Sequence, residues 1–258
     1  MQDFYNDYYA AIEHSQAHAA FCERVFGRNL GQHGFMDMQQ LELLLTVTRL
    51  GPQSRVLDLG CGNGLIAEYI SDCTGAHVAG MDYIPEAIRQ AQERTIAKAD
   101  RLGFFVGDIS QLELASRAFD TILSIDTLYF CQDYAATIRQ LKAALEPNGQ
   151  MAILFSHGRE PWVSKEEFPK ETLPPDKTPL ADALKANGFA FRTWDLTQQD
   201  YQLARLRKQV LVELRPQFEA EEILFIYKNR MGDAEGISQA IEDGLHARYL
   251  YHVTRISH

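Results

Sequence analysis

A short run from Val56 to Gly64 holds the residues of this chain whose types and spacing best suit ligand binding. It reads Val-Leu-Asp-Leu-Gly-Cys-Gly-Asn-Gly, an apolar stretch that contains Asp58 and is followed by three glycines at alternate positions. Glycine permits a tight turn and lets the backbone approach a ligand without an intervening Cβ atom. A helix that starts near Asn63 points its positive amino-terminal end at that ligand. The run therefore predicts a strand, a turn and a helix that bind a nucleoside-bearing molecule.

A second acid supports this interpretation and narrows it. The stretch Ala76 to Met81 predicts a short buried strand that ends at Asp82. A carboxylate in that position accepts hydrogen bonds from both hydroxyls of a ribose. The turn of a nicotinamide dinucleotide fold has the spacing G-x-G-x-x-G, whereas the last two glycines here are only two positions apart. This spacing makes a pyrophosphate-bearing dinucleotide the weaker alternative.

The acid and the glycines resemble the motif of the class I S-adenosylmethionine-dependent methyltransferases, in which this turn holds the methionine end of the cofactor. Three further stretches follow in family order. Phe104–Ile109 looks like the third strand and the residues after it, Phe119–Asp126 like the fourth strand, and Leu145–Gly149 like the turn before the fifth. The family usually has two glycines in that turn. Asn148 replaces the first of them, a mild departure because Asn also tolerates a left-handed backbone.

The resemblance covers residues 51–155 and implies which residues bind the cofactor, S-adenosyl-L-methionine. In the family, the acid after the third strand reaches the adenine amino group and the next apolar side chain packs on the ring. These positions are Asp108 and Ile109 in this chain. The complete set of cofactor-binding residues that we predict is Asp58, Gly60, Cys61, Gly62, Gly64, Asp82, Tyr83, Asp108, Ile109 and Ser124.

Candidates for chemistry lie where the strands end, because ligands of open α/β sheets bind outside the carboxyl ends of the strands. His157 directly follows the fifth strand and is the first candidate for a general base or a substrate contact. Asp126 is the second, either as a proton acceptor or as a group that attracts an ammonium. A structural hydrogen bond at a strand end is the alternative for both. His33 is the third candidate, and Tyr129 and Phe130 are predicted to form an aromatic wall for the substrate.

The amino-terminal region predicts one or two helices between residues 4 and 25, followed by another that begins at Asp37. Tyrosine and phenylalanine recur on the first of these at helical spacing. The stripe either packs against the sheet or covers the cofactor site, and Tyr9 is the member that we assign to substrate binding. His33 lies in the link between these helices, where such a cover crosses the site.

The predicted fold is α/β, a doubly wound, mostly parallel seven-stranded sheet with N-terminal helices and a helical cap inserted between the last two strands. We expect an N-terminal helical cover over residues 1–50 and a cofactor-binding core over residues 51–197. The helical cap follows over residues 198–246, and the final strand of the core lies in residues 247–258.

Two regions outside the core are expected to shape the substrate side. Five of the nine prolines lie between Gly158 and Pro179, which predicts an irregular segment, either a lid or an exposed loop. The cap is predicted to contain two or three helices, with Pro216 in the first turn of the second and Asp233 as the cap of the third. We interpret this insert as a substrate cap, with a homodimer surface as a further use.

Composition restricts the remaining possibilities. The chain has 258 residues, 46% of them apolar, and a formal net charge of -10, which argues against an extended nucleic-acid surface. None of the four cysteines forms a C-x-x-C pair, so reduced thiols of a cytoplasmic protein are expected. The sequence has no predicted transmembrane span and no leader-like start, and it has no carboxylate cluster that indicates a metal.

The function that this combination predicts is methyl transfer from S-adenosylmethionine to a nitrogen, oxygen or carbon nucleophile of a small metabolite by in-line displacement. Catalysis of this kind depends mainly on positioning and on a deprotonated nucleophile. The chain is thus expected to be an enzyme with a small-molecule methyl acceptor. A non-catalytic S-adenosylmethionine-binding protein and a nicotinamide-dependent oxidoreductase are the alternatives.

Overall fold

A computed structural model of the chain describes residues 2–159 and 162–256. In this part of the chain, seven strands form a single sheet in the order β3-β2-β1-β4-β5-β7-β6. The first five strands run parallel, and β7 is antiparallel to both of its neighbours. The predicted doubly wound, mostly parallel seven-stranded sheet is confirmed.

The strands are short, except for the two that pair over the longest register. Their bounds are β1 Arg55–Leu59, β2 His77–Asp82, β3 Leu102–Val106, β4 Phe119–Ile125, β5 Leu145–Gly158, β6 Phe189–Asp195 and β7 His246–Arg255. The strand order reverses between β1 and β4, which are direct neighbours. A crevice forms at such a reversal, outside the carboxyl ends of the strands, and ligands of this fold class bind there.

Helices cover both faces of the sheet. Their bounds are α1 Gln2–Ile12, α2 Gln16–Phe26, α3 Met38–Thr48, α4 Leu65–Thr74, α5 Pro85–Arg94, α6 Tyr134–Ala144, α7 Pro179–Ala186, α8 Thr197–Ala220 and α9 Leu224–Glu242. The predicted helix start at Asp37 is confirmed, since this residue caps α3 and its carboxylate accepts a hydrogen bond from the backbone amide of Gln40 at 2.8 Å. This bond satisfies one of the unpaired amides at the start of α3.

Three sequence expectations about element bounds were wrong. Residues 145–149 belong to β5, whose pairing with β4 shifts register between Phe119 and Thr121, so the expected turn is an irregular strand segment. The insert contains two long helices. Pro216 lies inside α8 and Asp233 inside α9, because the buried side chains of these helices continue past the expected starts, with Phe218 after Pro216 and Ala234 after Asp233.

The apolar core lies on both faces of the sheet, with a further cluster where α8 and α9 pack on α1 and α2. The described part of the irregular segment between β5 and α7 contains one short 3-10 turn, Lys170–Thr172. Pro161, one of the prolines on which that prediction rested, lies outside the described residues. Among the helices that the structure describes, none combines the length and the apolar character needed to cross a membrane.

Candidate functional site

A cavity of about 360 Å³ lies at the carboxyl ends of β1, β2 and β4, where the strand order reverses. This volume lies within the range of about 300–1,000 Å³ that is typical of small-molecule sites. Its walls include the glycine turn after β1, the residues after β2, β3 and β4, helix α1, and the link of residues 27–37 between α2 and α3. We call this segment the α2–α3 link.

The glycine turn is shaped by the backbone of β2. The amides of Gly60 and Cys61 both donate to the carbonyl oxygen of Met81, at 2.7 and 3.0 Å. Gly62 has a φ of +54°, and a Cβ atom added there would lie 2.5 Å from the hydroxyl oxygen of Tyr9. The turn therefore needs glycine at this position both for its backbone conformation and for space.

Two acids flank the turn, of which Asp58 is buried and Asp82 is half-buried. The Asp82 carboxylate accepts hydrogen bonds from the amides of Gly62 at 2.8 Å and Ile84 at 2.9 Å, which leaves each oxygen a further lone pair for a ligand. Asp58 is 2% exposed and makes no ion pair with any residue that the structure describes. Burial, together with the charge of Asp82, raises the pKa of Asp58 to about 7. A cationic group of a ligand beside Asp58 would compensate for this desolvation.

Most of the predicted cofactor residues line the cavity. These are Asp58, Gly60, Cys61, Gly62, Asp82, Tyr83, Asp108 and Ile109. Gly64 does not line it. An added Cβ there would lie 2.6 Å from the ring of Phe104 and 2.9 Å from Cβ of Ala91, so this glycine allows α4 to pack closely. Ser124 also lies outside the lining. It is 1% exposed within β4, and its hydroxyl has no hydrogen-bond partner among the described residues.

Helix α1 covers the cavity with part of its aromatic stripe. Tyr5 and Tyr9 line the cavity, whereas Tyr8 is fully buried among the helices. Part of the stripe therefore covers the cavity, whereas Tyr8 packs against other helices and not against the sheet, since neighbouring positions of one helix point to different sides. Tyr129 and Phe130 also line the cavity, and their ring centroids are 4.7 Å apart.

His33 is one of two candidate bases that lie in the cavity wall. Its Nε2 is buried and has no hydrogen-bond partner among the described residues. Its ring lies edge-on to Tyr5, with ring centroids 4.9 Å apart. Burial, with the charges of Arg230 and Arg207, lowers the pKa of His33 to about 3. His33 thus presents a neutral imidazole to the cavity at neutral pH.

Asp126 also lines the cavity, but its carboxylate is already occupied. Arg248 donates to it twice, from Nη1 to Oδ1 at 2.5 Å and from Nη2 to Oδ2 at 3.0 Å. The amide of Phe35 donates to Oδ2 at 2.8 Å. Asp126 is 6% exposed and Arg248 is fully buried. A carboxylate held in this way is better suited to holding neighbouring residues in place than to accepting a proton.

His157 is not part of the cavity lining, which corrects its expected position beside the reacting group. Its ring stacks on Phe155 and lies near Phe168, and its Nε2 is 2.8 Å from the hydroxyl oxygen of Thr172. The long β5 carries His157 beyond the crevice and under the irregular segment. The geometric reason for proposing it as the base is therefore lost.

Three fully buried arginines beside the cavity were missed from the sequence: Arg207 in α8, Arg230 in α9 and Arg248 in β7. Only the last carried a usable signal. Arg248 lies in the apolar run Ala247–Val253 of a strand in the sheet interior, and a buried charge in such a strand needs a carboxylate partner. Elsewhere, no group of three potential metal ligands occurs among the described residues.

A family model described as a methyltransferase domain matches residues 50–202. The chain is 32% identical over 146 residues to phosphoethanolamine N-methyltransferase 1 of Triticum aestivum. The aligned region covers 57% of this chain and 29% of that enzyme. It is 29% identical over 150 residues to 27-O-demethylrifamycin SV methyltransferase of Amycolatopsis mediterranei. That aligned region covers 53% of this chain and 54% of that protein. The chain therefore spans less than two thirds of either relative.

Among solved structures, phosphoethanolamine N-methyltransferase 2 of Haemonchus contortus, in complex with phosphomonomethylethanolamine and S-adenosylhomocysteine, has a TM-score of 0.76. It is 19% identical, and the match covers 98% of this chain and 60% of that one. Geranyl diphosphate methyltransferase in complex with GPP and sinefungin has a TM-score of 0.74 and 13% identity, and the match covers 99% of both chains. At these identities the likeness concerns the fold.

Proposed function

The chain belongs to the methyltransferase domain family, and from this premise we propose that it transfers a methyl group from S-adenosylmethionine to a small-molecule acceptor. The single observation that carries the proposal is the convergence of three acids from successive strand ends on one cavity. Asp58, Asp82 and Asp108 line it together with the glycine turn. The family match gives no support to the nicotinamide alternative.

The cavity fits this cofactor chemically. Asp58 is a buried carboxylate without a cationic partner among the described residues, and the cofactor carries an ammonium on its methionine end. The Asp82 carboxylate keeps free lone pairs for ribose hydroxyls after accepting two backbone amides. The absence of a side chain at Gly62 leaves room beneath Tyr9. Asp108 and Ile109 are proposed to receive the adenine.

When bound, S-adenosylmethionine supplies a sulfonium-activated methyl group. The residues of this chain then have to hold the acceptor in line with that group and exclude water. Tyr5 and Tyr9 on α1 and the pair Tyr129 and Phe130 after β4 are placed to close the cavity around the acceptor. An aromatic wall of this kind suits a partly apolar or a cationic acceptor.

His33 is proposed to contact the acceptor. His33 lines the cavity, and a neutral imidazole carries one nitrogen that accepts a hydrogen bond and one that donates. With a pKa of about 3, this imidazole is a weak base, so it orients the nucleophile more effectively than it removes a proton. The acceptor is then expected to react from a form that is already deprotonated.

A non-catalytic cofactor-binding protein is a second candidate. The observation that favours it is that both candidate bases in the cavity wall are ill suited to proton removal: Asp126 is held by Arg248, and the pKa of His33 is low.

We also propose that the protein is cytoplasmic and forms a homodimer. Free thiols at Cys22, Cys61 and Cys131 support a cytoplasmic protein. Light scattering tests the proposed homodimer.

Calorimetric titration with S-adenosylhomocysteine tests the cofactor assignment. The wild-type protein is expected to bind with a dissociation constant on the order of micromolar. Asp82→Ala is expected to abolish measurable binding. An unchanged titration of Asp82→Ala contradicts the assignment of Asp82 to the ribose. A matched control is Asp120→Ala, because this acid lies at the opposite end of β4 in an exposed ion pair with Arg55.

Turnover separates the two candidate functions. S-Adenosylhomocysteine production is measured with a panel of small amines, phenols and carboxylates, and phosphoethanolamine is included because a relative is named for it. Turnover with any member supports the enzyme. Binding of S-adenosylhomocysteine without turnover across the panel favours the non-catalytic protein.

A further inference from the structure

The α2–α3 link forms the part of the cavity wall that carries His33. Six of its residues line the cavity: Leu30, Gly31, Gln32, His33, Gly34 and Met36. The link contains neither helix nor strand, so its own backbone does not fix the direction of the His33 side chain. Its position therefore depends on bonds to other parts of the molecule.

One of these connections runs to the end of β4. The Phe35 amide donates to Oδ2 of Asp126, the same carboxylate that Arg248 holds with two donors. The approach is close, since a Cβ atom on Gly34 would lie 2.6 Å from Oδ2. Asp126 itself has a φ of +55°, an uncommon conformation for a residue other than glycine. Arg248 thus fixes a carboxylate that in turn fixes the link.

The second connection runs to the helical insert. Arg230 in α9 donates from Nη1 to the carbonyl oxygen of His33 at 2.6 Å, and from Nη2 to the carbonyl oxygen of Gln32. The same Nη2 contacts the hydroxyl of Tyr8 and lies 3.0 Å from Nε2 of His18. Arg230 is fully buried, so these contacts are made without competition from water.

The Phe35 ring is a third point of contact. The guanidinium carbon of Arg207 lies 4.6 Å from its centroid and that of Arg248 lies 5.9 Å away. These distances are within the range of cation–π attraction, which is stronger for desolvated groups. Arg207 belongs to α8, so both helices of the insert hold the link.

The insert contributes no described residue to the lining of the cavity. The cavity lining therefore gives no direct support to the substrate cap expected from the sequence. We propose that Arg248 and Arg230 are positioning residues that hold the α2–α3 link so that the His33 ring faces the acceptor. This proposal rests on the proposed function. The helical insert thereby shapes the acceptor side of the site from behind the link.

The test measures the order of the link directly, without requiring a known acceptor. Amide hydrogen exchange of Phe35 and the long-range ¹H–¹⁵N spectrum of the His33 ring are recorded by NMR, without ligand and with S-adenosylhomocysteine. His33→Gln identifies the ring signals. In the wild-type protein we expect a protected Phe35 amide and a single His33 tautomer.

Arg248→Met and Arg230→Met are expected to accelerate Phe35 exchange about tenfold or more, since the link then opens locally. The His33 signals should average between tautomers, while amides of the central strands keep their protection. Arg248→Lys keeps the charge and one donor and should restore protection in part. Arg55→Met is the matched control, because it breaks an exposed Arg–Asp pair between β1 and β4 at the far end of the sheet.

Asp126→Asn/Arg248→Met removes both charges and is used if Arg248→Met fails to fold, because it leaves no unpaired buried ion. Unchanged Phe35 exchange and an unchanged His33 spectrum in the folded variants overturn the proposal. So does a Phe35 amide that exchanges as fast as exposed amides in the wild-type protein. Absence of S-adenosylhomocysteine binding by the wild type contradicts the proposed function, whereas the exchange data still decide the role of the arginines.

Discussion

Arg248 in β7 donates two hydrogen bonds from its guanidinium group to the carboxylate of Asp126 at the end of β4, and the pair is almost fully buried. The two residues are 122 positions apart in the sequence. Their pairing turns an acid at a ligand-binding strand end into an anchor for the α2–α3 link. It also shows how the last strand of the sheet takes part in the site without lining the cavity.

This pair should matter strongly for stability. Arg248→Met leaves the Asp126 carboxylate buried without its counter-charge, so it should lower the free energy of unfolding by about 3–5 kcal/mol. Asp126→Asn/Arg248→Met should recover much of that loss, because no unpaired ion remains. Urea unfolding measures both variants. Arg55→Met, at an exposed pair, should cost less than about 1 kcal/mol, and an equal loss in that variant would contradict the expectation.

Cofactor binding should release a proton through Asp58. With a pKa of about 7, this carboxyl is mostly protonated at pH 6 in the free protein, and a bound ammonium lowers that pKa. Because the folded pKa exceeds the unfolded value, the contribution of Asp58 to stability falls as the pH rises from about 4 to 7. Titration with S-adenosylhomocysteine at pH 6 in two buffers of different ionisation enthalpy should show release of about one proton.

Asp58→Asn is the control for this linkage, since an amide neither binds nor releases a proton in that range. It should bind S-adenosylhomocysteine without proton release. The same proton release in wild type and Asp58→Asn would assign the linkage to another group.

Space at Gly62 should limit cofactor affinity. Gly62→Ala forces alanine into a left-handed conformation, which costs about 1–2 kcal/mol. It also brings a methyl group against the Tyr9 hydroxyl. We expect S-adenosylhomocysteine affinity to fall about tenfold or more. Tyr9→Phe combined with Gly62→Ala should recover part of the loss, since the next nearest Tyr9 atom to the added methyl is 3.3 Å away.

Gly103→Ala provides a comparison in β3, where an added Cβ meets no atom within 4 Å. Its affinity should match that of the wild type. If Gly62→Ala also binds normally, the turn does not approach the cofactor closely.

His33 should make the protein less stable in acid. Its folded pKa of about 3 lies below the unfolded value of 6.5, so the unfolded chain binds more protons between these values. Stability therefore falls as the pH decreases below about 6.5, by about 2 kcal/mol at pH 5 from this residue. Urea unfolding of wild type and His33→Gln at pH 7 and pH 5 measures the difference. Parallel losses in both proteins would contradict this role of His33.

The two histidines that the sequence nominated should behave differently in catalysis. With an acceptor from the turnover panel, His33→Gln should lower kcat/KM about tenfold through the loss of one oriented hydrogen bond. His157→Gln should leave kcat/KM nearly unchanged, because His157 does not line the cavity. A larger loss for His157→Gln would reverse this assignment.

The sequence by itself determined the cofactor half of the protein. The run from Asp58 to Gly64, with Asp82 and Asp108 at later strand ends, is local in sequence, and each part is set by backbone geometry over a few residues. The strand succession of the sheet follows from the same local patterns. The predicted seven-stranded fold is confirmed because it follows from these local patterns. The predicted helix boundaries of the insert were wrong.

Only the tertiary structure decided the acceptor half. It removed His157 from the cavity wall, kept His33 in it, and joined Asp126 to Arg248 and the His33 carbonyl to Arg230. These contacts link residues more than 90 positions apart, and no local spacing encodes them. A charged residue within an apolar run indicates that its side chain needs a partner in the folded protein. Only the packing of distant elements determines which group that partner is.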